Sequence, residues 1–65
     1  MKPYSLVGIN ANAFNIMAYV KSCMQKERKS QEEIKNYLND AMSSNYDHLL
    51  YVSNEMIDKL NNESI

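Results

Sequence analysis

Apolar residues recur at helical spacing in three parts of the chain, which predicts helices over residues 12–28, 31–43 and 46–60. The first segment has the widest apolar arc, because Phe14, Ala18 and Tyr19 extend a narrower stripe of regularly spaced positions. That stripe comprises Ile16, Met17, Val20, Cys23 and Met24. A helix that is apolar over so much of its circumference contacts more than one neighbour, so we expect it at the centre of the fold.

Residues that favour helix starts stand in front of each segment. Asn10 or Asn12 can act as the N-cap of the first helix, and the segment Ser43-Ser44-Asn45 supplies the cap of the third. Ser30 and Glu33 have the Ser-x-x-Glu spacing of a capping box, in which each side chain bonds the backbone N–H of the other residue. These two residues alone predict where the second helix begins.

The second and third helices each have one apolar face, which is typical of helices that pack on a core from one side. In the second helix this face comprises Ile34, Tyr37, Leu38, Ala41 and Met42. In the third it comprises Leu49, Val52, Ser53, Met56, Ile57 and Leu60. Leu50 and Tyr51 lie beside that face, and we expect both to take part in an interface. Residues 61–65 show no pattern and are expected to fray.

Residues 4–8 have the composition of a short strand. Tyr4, Leu6 and Val7 favour extended backbone, and Pro3 and Gly8 punctuate the two ends. Nothing later in the chain resembles a second strand, so this segment either pairs with its copy in another subunit or lies extended over the helices. The predicted fold class is mainly α: a short N-terminal extended strand followed by three helices, in one domain over residues 1–65.

The size of the chain predicts self-association. At 65 residues a single hydrophobic core is marginal unless a disulfide, a metal or a second subunit adds to it. Cys23 is the only cysteine and cannot form an internal bridge, and no Cys/His cluster has zinc spacing. We therefore expect an obligate homo-oligomer that holds neither a metal nor a cofactor.

Charge and hydropathy exclude two classes of partner. A net charge of −1 lacks the basic balance of duplex-binding modules, and no apolar stretch approaches the roughly 20 residues that span a bilayer. The apolar run near the N-terminus is too short for a signal-peptide core. Together with the unpaired Cys23, this favours a soluble protein with a cytosolic location.

The best candidate site is an anion site around the only glycine, Gly8. A strand that breaks at glycine and enters a helix leaves backbone N–H groups unpaired, which suits a phosphate. In this hypothesis the backbone around Gly8, Asn10 and Asn12 holds phosphate. Lys21, Lys26 and Arg28 supply charge, and Tyr4 or Tyr46 stacks on a base.

Two observations set limits on that site. Lys26 and Arg28 lie about 20 Å along the first helix from Asn12 at 1.5 Å per residue, so only another subunit could bring them to the loop. The same glycine junction also joins strands to helices in domains without a ligand, and a basic helix end is usually a solvated, dipole-compatible surface.

Catalysis and metal binding have little support. Asp47 and His48 are neighbours in sequence and project about 100° apart on a helix, so they form no oriented pair. Cys23 lies on the apolar face of the first helix, where a thiol is normally a small buried hydrophobe. Of the function classes, an enzyme is the least favoured.

Two motifs resemble those of a family of very small bacteriophage and prophage proteins. They are Leu6-Val7-Gly8-x-Asn10-x-Asn12-Ala13-Phe14-x-Ile16-Met17 and Tyr46-Asp47-His48-Leu49-Leu50-x-Val52. In that family an extended Leu-Val-Gly segment meets an Asn-Ala-Phe helix, and a Tyr-Asp-His-Leu-Leu helix ends the chain. The likeness covers about residues 5–56, although family members often carry Asp-Gly where this chain has Asn10-Ala11. The resemblance implies host takeover or counter-defence.

The leading functional hypothesis is a non-enzymatic phage protein that sequesters a small phosphorylated ligand at a subunit interface. Phage proteins of similar size act as sponges for the cyclic nucleotide signals of antiviral systems such as CBASS or Thoeris, and the analogy is one of size and lifestyle. The alternative is an interaction module that inhibits a host protein through an apolar helix face, with Leu50 and Tyr51 as anchors. A structural role inside the virion is a third hypothesis.

Overall fold

In the computed structural model, which describes residues 4–63, the chain folds into three helices. They are α1 (Ala13–Lys26), α2 (Gln31–Ala41) and α3 (Tyr46–Asn62). The prediction of a mainly α fold with three helices is confirmed. The first two helices end two residues before the predicted ends, and α3 continues two residues beyond its predicted end. Pro3 and the last two residues of the predicted frayed tail, Ser64 and Ile65, lie outside the described residues.

Local hydrogen bonds fix both ends of α1. The side chain of Asn12 accepts a 2.8 Å hydrogen bond from the backbone N–H of Phe14, which makes Asn12 the N-cap. At the other end Arg28 has a positive φ of 61°, and the N–H of Lys29 donates to the carbonyl of Met24. This is a Schellman motif, and its left-handed position is one that glycine usually occupies.

The predicted caps of the other two helices are confirmed as well. Ser30 and Glu33 form both bonds of the capping box at the start of α2. The backbone bond from Ser30 lowers the pKa of the Glu33 carboxyl below its usual range. Asn45 caps α3 by accepting a 2.9 Å hydrogen bond from the backbone N–H of His48. Each helix therefore begins where its own sequence specifies.

Each helix contacts the other two, and their facing sides form one core. All five residues of the predicted stripe on α1 are buried. Among the described residues Ser53 is the one buried polar side chain outside the apolar set, and its hydroxyl lies 2.6 Å from the hydroxyl of Tyr37. The two hydroxyls satisfy each other, because a buried polar group without a partner costs free energy.

The N-terminal segment is not a strand within the described chain. Residues 4–11 instead contain a turn and lie against α1 and α3, which they contact through Tyr19 and Asn61. The Asn61 side chain replaces a partner strand: it accepts from the N–H of Tyr4 at 3.2 Å and donates to the carbonyl of Tyr4 at 2.9 Å. Asn61 is helical, so this contact also accounts for the extension of α3 past its predicted end.

Candidate functional site

The loop around Gly8 is a turn in which the backbone N–H groups of Val7, Ile9 and Asn12 donate within the loop. The N–H of Ile9 donates to the carbonyl of Leu6 at 3.1 Å, and Gly8 has a φ of +86°, as a type II turn requires at its third residue. The N–H of Asn12 donates to the side chain of Asn10 at 3.0 Å. A Cβ on Gly8 would meet only open space, so the glycine is needed for its φ and not for a close approach.

The predicted site residues lie in three separate places within one subunit. Tyr46 stays near Asn10 and Asn12, because its hydroxyl donates to the carbonyl of Ala11. Tyr4 is at the opposite end of α1, where its hydroxyl donates to Glu27 at 2.6 Å. The bond to Glu27 raises the pKa of Tyr4 to about 12.

The three predicted cations do not converge in the subunit either. Lys26 is the last residue of α1 and Arg28 follows the C-cap, so both are at the end of the helix away from Asn12. Lys21 lies partway along α1 and faces the groove between α1 and α2. One subunit therefore does not join these cations to the Gly8 loop.

Two open clefts that share Met42 lie along α1 and α2, and they are called the two ends of the α1–α2 groove below. The basic end has a volume of about 360 Å³ and is lined by Lys21, Gln25, Gln31, Lys35, Leu38 and Asn39. The apolar end, which also borders α3, has a volume of about 280 Å³ and is lined by Phe14, Met17, Ala41, Met42, Tyr46 and Leu49. Met42 lines both ends, and none of the described residues lining either end is acidic.

Three large apolar side chains at the apolar end are exposed to solvent. The exposed fraction is 75% for Phe14, 57% for Met42 and 40% for Tyr46. The sequence analysis missed this patch, because it assigned Met42 to the buried face of α2 and Phe14 to the broad apolar arc of α1. A helical wheel could have separated Phe14, which lies about 120° from the middle of the buried stripe at 100° per residue.

The groove between α2 and α3 has the opposite charge. Its volume is about 450 Å³, and its lining includes Glu33, Asp40 and Glu55 against one cation, Lys59. Helix α2 therefore carries an acidic flank toward α3 and a basic flank toward α1. The two predicted anchors differ in exposure: Tyr51 is 64% exposed, whereas Leu50 is partly buried against the core.

Ser43, His48 and Asp40 meet where α2 ends and α3 begins. The Nε2 atom of His48 lies 3.0 Å from an Asp40 carboxylate oxygen and 3.4 Å from the Ser43 hydroxyl. A catalytic triad needs these contacts on two different ring nitrogens, so that the base is oriented by one and acts through the other. The cluster therefore joins two helix ends without the geometry of a triad.

The remaining reactive groups have structural surroundings. Cys23 is buried, and burial raises the pKa of its thiol, which disfavours the nucleophilic thiolate. Over residues 4–63 no group of three or more His, Cys, Asp or Glu side chains could hold a metal ion. Within the same range, no helix is both long enough and apolar enough to cross a membrane.

Comparison with models of known protein families gives no match. Comparisons with curated proteins and with solved structures give none either. The resemblance to small phage proteins therefore stays a prediction.

Proposed function

We propose that this protein is a non-enzymatic interaction module that binds a helical segment of a protein partner in the α1–α2 groove. The observation that carries the proposal is the exposure of Phe14, Met42 and Tyr46 around one cleft. Keeping large apolar side chains in water costs free energy, and a contiguous exposed patch with a polar rim is typical of interaction sites. Phe14 is the central anchor, because it is the most exposed of the three.

The shape and charge of the groove favour a helical, acidic partner segment. From Phe14 to Gln25 the groove is about 16 Å long at 1.5 Å per residue, which corresponds to roughly three turns of a docked helix. Such a helix would place apolar residues at positions i, i+3 or i+4, and i+7 along the floor. Lys21 and Lys35 attract acidic residues on its flanks.

Two kinds of partner fit this description. One is a host protein in the cytoplasm of an infected cell, in the counter-defence setting that the resemblance to phage proteins implies. The other is a second copy of this chain, because a core of this size gains stability from self-association. In both cases the anchors that line the groove itself are Phe14, Met42 and Tyr46.

Selection of peptides from a randomised helical library tests the proposal. We expect selected peptides to carry apolar residues at helical spacing together with acidic residues. Phe14→Ser should weaken their binding at least tenfold, because the anchor is lost. Val7→Ser is the matched control: Val7 is 90% exposed but does not line the groove, so this variant should bind like the wild type. Equal binding to both variants, or no enriched peptide, would refute the proposal.

A small phosphorylated ligand is the second candidate, favoured by the basic end of the α1–α2 groove. Lys21 and Lys35 offer charge to a phosphate, and Gln25, Gln31 and Asn39 offer amide groups. The volume of about 360 Å³ is within the range of small-molecule sites. In this version the nucleotide sponge uses Lys21, which lines the basic end of the groove, but not the Gly8 loop, which does not line it.

Thermal unfolding with linear and cyclic nucleotides tests the second candidate. A ligand at 100 times its dissociation constant stabilises the folded state by about 2.7 kcal/mol, which raises the unfolding midpoint. Lys21→Gln should abolish the rise, whereas Lys26→Gln should retain it, because Lys26 does not line the groove. If no nucleotide raises the midpoint, this candidate fails and the protein-binding proposal is unaffected.

A further inference from the structure

The outer surface of α3 carries an acidic stripe with an exposed aromatic residue in the middle. The stripe, called the acidic stripe below, comprises Asp47, Tyr51, Glu55 and Asp58, all of which are exposed. At 100° per residue, Tyr51 lies opposite the buried face of α3, with Asp58 about 20° to one side and Glu55 about 40° to the other. Tyr51 itself is 64% exposed.

The α1–α2 groove has the complementary order of charges. Lys21 stands on its α1 wall and Lys35 on its α2 wall, with the apolar side chains of Ile34 and Leu38 between the walls. The acidic stripe likewise has an apolar ring between two flanks of carboxylates. From Asp47 to Asp58 it is about 16 Å long, which equals the length of the groove from Phe14 to Gln25.

We propose that the acidic stripe of a second copy occupies the α1–α2 groove, an inference that rests on the proposed function and names its partner. Tyr51 of the second copy lies against the apolar floor of the groove, and Glu55 and Asp58 face Lys35 and Lys21 on its walls. Complementary charge determines which surfaces pair. Two acidic stripes, or two basic grooves, would repel each other.

The geometry of the bundle determines the kind of assembly. The basic end of the α1–α2 groove is lined by α1 and α2 alone, whereas the acidic stripe lies on α3, where Tyr51 and Glu55 also border the groove between α2 and α3. Each copy therefore contributes two different surfaces, and the contact is head to tail. Such contacts produce a closed ring or an open filament, not a two-fold dimer. A standard protein interface buries about 800 Å² on each partner. Two such surfaces on one copy take up about a third of its 4472 Å² of accessible surface.

Sedimentation of the wild-type protein at increasing concentration is the first test. We expect species larger than the 7.6 kDa monomer, and we expect them to dissociate as salt rises, because salt screens the charges at the rim. This measurement needs no variant. A protein that stays monomeric at several hundred micromolar, or an assembly that salt does not weaken, would overturn the proposal.

A charge exchange tests the pairing of the two surfaces. Lys21→Glu/Lys35→Glu makes the groove acidic, and Glu55→Lys/Asp58→Lys makes the stripe basic, so each variant alone should associate at least tenfold more weakly. Mixed together, the two variants again present opposite charges, and association should return. Lys26→Glu/Arg28→Glu has the same change of net charge outside the groove and should associate like the wild type. Loss without recovery in the mixture would refute the assigned pairing.

Binding of a selected acidic peptide separates the two proposals. If the wild type is monomeric and the peptide still binds in a Phe14-dependent manner, the groove is a docking site and the partner is not a second copy. If the protein assembles and the peptide competes with assembly, both proposals hold. If the protein assembles and the charge exchange restores association, but Phe14→Ser leaves peptide binding unchanged, the proposed function fails and the pairing of stripe and groove stands.

Discussion

At the scale of single residues, Tyr37 and Ser53 form a hydrogen bond inside the core, and each buried hydroxyl depends on the other as its partner. Both side chains are buried, and burial raises the pKa of the Tyr37 hydroxyl, so Tyr37 stays neutral. Among the described residues every buried side-chain N or O atom has a partner. Removing one member of the pair therefore has a larger effect than its size suggests.

Ser53→Ala is expected to lower the free energy of unfolding by about 1–3 kcal/mol, because it leaves the Tyr37 hydroxyl buried without a partner. Tyr37→Phe/Ser53→Ala removes both polar groups and should cost less than Ser53→Ala alone. Urea denaturation at one fixed protein concentration measures both. A double variant that is less stable than the single one would contradict the account.

The bond from Tyr4 to Glu27 predicts a dependence of stability on alkaline pH. The pKa of Tyr4 is raised from 10.0 to about 12, so the folded state favours the neutral phenol. The stabilisation is complete below pH 10, the unfolded value, and is lost as the pH rises from 10 toward 12. Tyr4→Phe should therefore lose less stability than the wild type over this interval. Urea denaturation at each pH measures this difference. An equal loss of stability in the two proteins would disprove the role of Tyr4.

At the scale of elements, sequence reasoning succeeded where a few neighbouring residues decide the outcome. Ser30 with Glu33 and Asn12 with the N–H of Phe14 are local contacts, and all of them form. It failed for residues 4–8, because their backbone partner is Asn61, which is 57 positions from Tyr4. It also failed for Met42, because which face of α2 is covered depends on where α1 lies.

The end of α1 leads to a prediction at this scale. Arg28 has a φ of 61°, which is unfavourable for any residue with a Cβ, and glycine adopts it without strain. Arg28→Gly should raise the free energy of unfolding by about 0.5–1 kcal/mol, despite the greater entropy of the unfolded chain. Ala18→Gly, at an exposed interior position of the same helix, should lower it by about 1 kcal/mol. Equal destabilisation by both changes would show that strain at Arg28 is negligible.

At the scale of the whole molecule, charge is divided between surfaces in a way that the sequence indicates only in part. The basic run from Lys21 to Lys29 is visible in the sequence, but Lys29 is held by Glu63 at 2.6 Å, and neither Lys26 nor Arg28 lines the groove. The cation that joins Lys21 in the groove is Lys35 of α2. The sequence could not show this pairing, because it depends on the packing of two helices.

If the protein is a homo-oligomer, its thermal stability should depend on protein concentration. Only folded chains associate, so association stabilises the folded state. The midpoint of thermal unfolding should therefore rise with a hundredfold increase in protein concentration. Lys21→Glu/Lys35→Glu should remove this dependence while leaving the helical circular dichroism signal intact. A midpoint that is the same at both concentrations would indicate that the monomer is sufficient for folding.

The double hydrogen bond between Tyr4 and Asn61 has a topological consequence, because it brings the two ends of the described chain side by side. A short linker could join these ends into a cyclic backbone, and new termini could be opened at Ser44, between α2 and α3. Such a circular permutant would keep all three helices and both open grooves. We expect it to fold, since the tertiary contacts and not the order of synthesis hold the ends together.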